Sequence, residues 1–205
     1  MHFRNLVLAA GLAATGSAGA QSLPSPAEFY FDADSAAKPV IAVKGDDPVP
    51  RLLKAVERDP HARTEVAQLA HLALEGGQLE TGQAYYERAL RGLDLSSGLW
   101  RPIMWNYGWD LYRSGQHEAA LQRWTELVAA RGTKGAWVPP TLALALWTAG
   151  RRDEAVRWYA AAVRTEPQLW SQPDLPRLLP DWRDAERAVL AEVQAQWSAH
   201  PPAWP

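Results

Sequence analysis

The sequence predicts an all-α chain in which helical hairpins stack into a solenoid, with a capping helix at each end. Two observations predict it. Gly77, Gly115 and Gly150 recur 38 and 35 residues apart. Each of these glycines lies between two stretches whose apolar residues follow the spacing of an amphipathic helix. A helix–turn–helix at a fixed period is the mark of a repeat array, whose units bury their apolar faces against one another.

The elements follow in chain order. Residues 1–20 carry Arg4, an apolar run from Leu6 to Ala14, and the small residues Ala18-Gly19-Ala20. That layout predicts a secretory signal peptide cut after Ala20, and hence a periplasmic or secreted protein. The apolar run is too short to cross a bilayer. Residues 21–47 read as a Pro- and Asp-rich flexible arm, whose aromatic triplet Phe29-Tyr30-Phe31 is expected to pack on the domain behind it. Residues 48–60 form a capping helix with Leu52, Leu53, Ala55 and Val56 on one side, stopped by Pro60. The first unit, 63–96, sets Val66, Leu69, Ala70 and Ala73 on one helix face, then Gly82, Tyr86, Ala89 and Leu90 on the next. The second unit, 101–134, does the same with Met104, Tyr107, Gly108 and Leu111, then Ala120, Trp124, Leu127 and Val128. The third unit, 136–169, uses Leu142, Ala143 and Leu146, then Ala155, Tyr159, Ala162 and Val163. Pro139-Pro140 is expected to interrupt its start. A last helix, 181–198, takes Asp181 as N-cap and buries Trp182, Ala185, Val189, Val193 and Trp197, with Arg183, Glu186, Arg187 and Glu192 lying elsewhere. Pro173, Pro176 and Pro180 fill the loop before it, and residues 199–205 read as an extended tail. The helical domain therefore spans 48–198.

Within this pattern, Gly82 and Tyr86, Ala120 and Trp124, and Ala155 and Tyr159 each place a small residue four before an aromatic. Pro60 and Pro167 stand where a unit closes. These residues resemble the tetratricopeptide repeat (TPR) family, whose period is about 34 residues. The resemblance covers residues 48–169 and implies a right-handed solenoid of about three TPR-like repeats. The chain departs from the family pattern at Gly82, where alanine is usual, and in the extra residues of the stretch Asp94–Trp100.

Composition excludes several functions. Zero cysteines remove disulfides, thiolate metal sites and thiol catalysis together. A net charge of −2 gives no electrostatic footprint for nucleic acid. No later stretch is long and apolar enough for a transmembrane segment. His117-Glu118 opens an HExxH pattern, but Leu121 stands where the second histidine is required. Gly76-Gly77 has no lysine in Walker spacing. The expectation is a non-catalytic protein without metal or cofactor.

All eleven tryptophans lie at or after Trp100. Trp124, Trp158, Trp182 and Trp197 read as packing residues, while Trp100, Trp170 and Trp204 have no assigned role. Trp105, Trp109 and Tyr112 form a stripe roughly 110° around their helix from the core stripe. The TPR resemblance implies that these positions face a concave surface on which many members bind peptides. Such a groove would hold Trp105, Trp109, Tyr112, Arg113 and Trp147, with Trp137 at its margin, and the first unit would add His71, Leu74 and Glu75. Half-exposed, four such aromatics make a patch of about 400 Å², the size that marks a partner surface. Arg113 suits a carboxylate held bidentately. The expected function is an exported scaffold, a candidate cell-envelope component, that binds a protein or peptide segment. The alternative is a carbohydrate or cell-wall binding module that uses the same aromatics. A competing reading fills the groove with the chain itself, from the arm, the Pro-rich loop or the tail.

Overall fold

The computed structural model describes residues 23, 25–26, 29–30, 45, 47–131 and 134–203. The expected leader and most of the arm lie outside the described residues, as does Phe31. The described residues form ten helices and no strand: α1 (Pro48–Arg58), α2 (Arg63–Glu75), α3 (Leu79–Leu90), α4 (Trp100–Arg113), α5 (His117–Arg131), α6 (Val138–Thr148), α7 (Arg152–Thr165), the single turns α8 (Pro167–Trp170) and α9 (Leu175–Leu178), and α10 (Asp184–Ala199). The tightest packing is within the pairs α2–α3, α4–α5 and α6–α7. Each pair touches the next, α1 covers the outer side of α2, and α10 lies across α6 and α7. The chain is therefore a helical repeat-like all-α fold. None of the described helices is long and apolar enough to cross a membrane.

The three hairpins turn in one way. Gly77, Gly115 and Gly150 have φ of 75°, 78° and 78°, a region that favours glycine. Behind each, the next residue's N–H reaches five residues back, from Gln78 to Ala73, Gln116 to Leu111 and Arg151 to Leu146, at 2.8–2.9 Å. These are Schellman closures, which satisfy the last carbonyls of α2, α4 and α6. The same three-dimensional turn thus recurs wherever the glycine spacing places it.

Small residues set how closely each pair approaches. A Cβ built on Gly108 would overlap the Trp124 indole, and one on Gly82 would overlap the Leu74 side chain. Trp124 is fully buried against Gly108, and its indole N–H donates to the Trp105 carbonyl at 3.4 Å. At the first hairpin, Arg63 donates to the carbonyls of Ala89 and Arg91 at 2.9 and 2.5 Å. A cation is thereby set at the C-terminal end of α3. Asp94 turns the extra stretch before α4 by accepting from the Ser96 and Ser97 N–H groups.

Several expectations are corrected. Pro139 and Pro140 do not interrupt α6; they lie in its first turn, where backbone N–H groups have no intrahelical partner to lose. In α1, Leu52 and Val56 are buried but Leu53 is exposed. The last helix begins at Asp184, with Arg183 rather than Asp181 at the cap. Its buried line is Glu186, Leu190 and Val193; Ala185 is exposed and Glu186 is not. Trp170, with no role from sequence, is buried, and its carbonyl accepts the Tyr159 hydroxyl at 2.8 Å. Tyr30 of the arm packs near Trp158, ring centroids 6.0 Å apart, while Phe29 is exposed.

Helix α6 is buried at every residue from Val138 to Trp147. A helix that is apolar all round must be covered all round, and α5, α7 and α10 supply that cover. The loop before α10 and the start of that helix reach across to α4, and the clefts described next lie between them, α2 and α4.

Candidate functional site

The site starts from α2 and α4. His71 and Glu75 stand one turn apart on α2 and share a face. On α4, Trp105, Trp109 and Arg113 follow one another at four-residue intervals, with Asn106 and Asp110 beside them. Asp110 is only 7% exposed, in a helix whose neighbouring positions are apolar. A carboxylate so placed requires partners, and two helices supply them. Tyr86 of α3 donates its hydroxyl to Oδ2 at 2.5 Å. His71 Nδ1 lies 2.9 and 3.0 Å from the two carboxylate oxygens. The imidazole is thereby fixed, with Nε2 as its remaining nitrogen, 3.9 Å from the Glu75 carboxylate. The hydrogen bond to Asp110 holds the His71 pKa above its ordinary 6.5, against the opposing effects of burial and of the nearby Arg113 charge. Burial, with Asp110 beside it, pushes the Tyr86 hydroxyl well above its usual range.

A second buried carboxylate closes the other side. Glu186 is in the first turn of α10, where a helix N-terminus favours negative charge. It accepts the Arg183 backbone N–H at 2.7 Å. It also takes Arg113 bidentately, from Nε at 2.8 Å and Nη2 at 3.1 Å. Arg113 therefore does hold a carboxylate in a fork, as its position suggested, but the carboxylate belongs to this chain. The guanidinium also lies 4.9 Å above the Trp109 ring. Arg187 fixes the loop behind it by donating to the Leu179 and Trp182 carbonyls.

Two adjoining clefts share His71, Asp110 and Arg113. One, of about 500 Å³, is also lined by Leu74, Glu75, Ser114 and Arg183. The other, of about 380 Å³, is lined by Trp105, Asn106, Trp109 and the segment Leu178–Trp182. The expected groove residues separate here. Trp105, Trp109 and Arg113 come together, whereas Tyr112 and Trp147 line neither cleft. Trp109, Tyr112 and Trp147 are each only 8% exposed and so do not form an open aromatic lining. Trp109 is covered by Trp182 and Trp124, both with ring centroids 5.0 Å away. Tyr112 shares a hydrogen bond with Thr148 at 2.9 Å. Trp147 donates to Glu192 of α10 at 2.9 Å, beneath Arg152. The Pro-rich loop and α10 thus fill most of the expected groove. Trp105 is half-buried, packed on Trp137 at 4.4 Å, and is the most open of the three stripe residues.

Sequence reasoning missed Asp110, Tyr86 and Glu186 as site residues. One signal was available, since Asp110 interrupts the apolar positions of α4 between Trp109 and Leu111. Glu186 gave none, because its burial depends on where α10 docks. Among the described residues there is no cluster of three His, Asp or Glu suited to a metal.

The His71 bond to Asp110 makes stability pH-dependent. A histidine whose folded pKa is raised contributes stability in full below its unfolded pKa of 6.5, and that contribution disappears as pH rises through the folded value. The thermal unfolding midpoint is expected to fall as pH is raised above 6.5, and His71→Gln is expected to flatten that decline. Equal slopes for the two proteins would remove His71 as the cause.

Comparison with known proteins finds no match to this chain, whether among protein-family models, curated proteins or solved structures.

Proposed function

We propose that the chain is an exported, TPR-like scaffold that binds a segment of a partner protein in the two clefts between α2, α4 and the loop before α10. The observation that carries the reading is the pair of adjoining open clefts, walled on one side by the half-buried Trp105 and on the other by the fixed His71. An aromatic face takes proline rings and other apolar side chains, and fixed polar groups orient the backbone beside them. The glycine period and the three matching turns support the TPR reading. Arg4, the apolar run and Ala18-Gly19-Ala20 support export. The site offers recognition without an evident nucleophile, so binding is a better fit than catalysis.

A second reading has its own support. Asn106 and Asp181 beside Trp105 and Trp182 give the mixture of flat aromatic and planar polar side chains that suits a sugar ring. Titrating tryptophan fluorescence with proline-rich peptides and with glycan fragments separates the two. Peptides are expected to change the emission, and Trp105→Ala to weaken them about tenfold, which is about 1.4 kcal/mol, the scale of one aromatic contact. The helical circular dichroism should persist. A response to glycans alone would give the site to carbohydrate. Mass spectrometry of the exported chain checks the cut after Ala20.

A further inference from the structure

We infer that the cleft between α2, α4 and the start of α10 binds an oxyanion, a carboxylate or phosphate group, between His71 and Arg113. The inference takes its location from the proposed binding reading but does not require a peptide, because a free anion suffices.

The construction of the cleft carries it. The Arg113 guanidinium and the His71 imidazole, which becomes cationic on protonation, line the same space, and each is held from behind by a buried carboxylate. Asp110 takes His71 through Nδ1. Glu186, 4% exposed, takes Arg113 through Nε and Nη2. Both holds use the nitrogens on one side of each group and leave Arg113 Nη1, and His71 Nε2 once the imidazole is protonated, as donors not engaged by either of these carboxylates. Both side chains line both clefts, and Arg183 and Ser114 add a guanidinium and a hydroxyl to the wall of the larger one. Donors fixed by supporting groups lose little freedom on binding, which is how anion sites gain affinity. The cations also repel one another, since the Arg113 charge opposes protonation of His71. An anion between them relieves that repulsion.

The acidic groups around the cleft leave the space available. Asp110 is engaged by His71 and by the Tyr86 hydroxyl of α3. Glu186 of α10 is engaged by Arg113 and the Arg183 N–H. Asp181, in the loop before α10, offers Arg113 its backbone carbonyl at 3.4 Å and has an exposed side chain. Glu75 of α2 stands 3.9 Å from Nε2, and at 60% exposure it has room to turn into water. Binding requires the charged imidazole, so affinity is high below the raised His71 pKa and falls above it.

The test is a titration of the full chain with succinate and, separately, with inorganic phosphate, at about pH 6 and about pH 8. Calorimetry and the NMR signals of the His71 ring are the readouts. At least one anion is expected to bind at the lower pH, to shift the His71 signals and to raise its pKa further. Affinity should fall about tenfold at the higher pH and in His71→Gln, the loss of one charge-assisted hydrogen bond. Whichever anion binds identifies the oxyanion class. Silence from both anions at both pH values overturns the inference, as does binding that His71→Gln leaves unchanged. Because the wild-type pH series needs no variant, a folding defect in His71→Gln does not obscure the result. If the anions fail while Trp105-dependent peptide binding persists, only the oxyanion site is withdrawn. If the anions bind and no peptide does, only the segment reading falls.

Discussion

Trp124→Ala is expected to lower the stability of the fold by about 3–5 kcal/mol, the cost of truncating a large core aromatic. The indole is fully buried at the joint between α4 and α5. It sits where Gly108 has no side chain, and it meets the rings of Trp105, Trp109 and Tyr112 at centroid distances of 5.9, 5.0 and 6.0 Å. Its removal therefore leaves a cavity that several rigid rings cannot collapse to fill. The loss should appear in urea denaturation as a lower midpoint with an unchanged slope. Trp105→Ala, at a half-buried position, should cost much less. A neutral effect of Trp124→Ala would mean that α4 and α5 do not meet through Gly108.

Arg113→Ala is expected to cost about 3 kcal/mol, because it strands the Glu186 carboxylate in a buried position. The reverse change, Glu186→Gln, should cost less. Arg113 is 25% exposed against 4% for Glu186, so water can solvate the arginine that is left over. Glutamine can also still accept the Arg183 N–H through its side-chain carbonyl. The double variant Arg113→Ala/Glu186→Gln should be more stable than the two single losses added together predict, since neither charge is then left alone. Thermal unfolding of the four proteins checks this, and strict additivity would mean that the fork contributes no coupling.

The two variants probe different levels of the architecture. Trp124 lies on a stripe that recurs at helical spacing, four residues after the small residue Ala120, so its burial is legible from local pattern. Glu186 and Ala185 are adjacent on α10, and periodicity favoured the wrong one. The buried line of a helix depends on the direction from which its neighbour approaches, and here α6 and α7 approach α10 from the Glu186 side. The same limit explains the aromatic stripe. Periodicity set Trp105, Trp109 and Tyr112 apart from the core stripe of α4, but all three meet Trp124 of α5, Trp109 and Tyr112 are buried in the core, and Trp182 comes from a loop 73 residues beyond Trp109 to cover it. Asp110 was visible as an oddity, yet its partners are 39 and 24 residues away in sequence and their contact depends on how three helices pack.

The sequence by itself determined the helices, their three glycine turns and the alternation of small and aromatic residues that joins them. Each of these follows from interactions within a turn or between adjacent helices, and such interactions leave a period in the chain. Only the tertiary structure decided that α10 and the Pro-rich loop close over Trp109 and Trp147, that two buried carboxylates hold His71 and Arg113, and that open clefts remain beside Trp105. Those outcomes depend on where distant segments dock, and docking is governed by shape and charge complementarity that no spacing along the chain records.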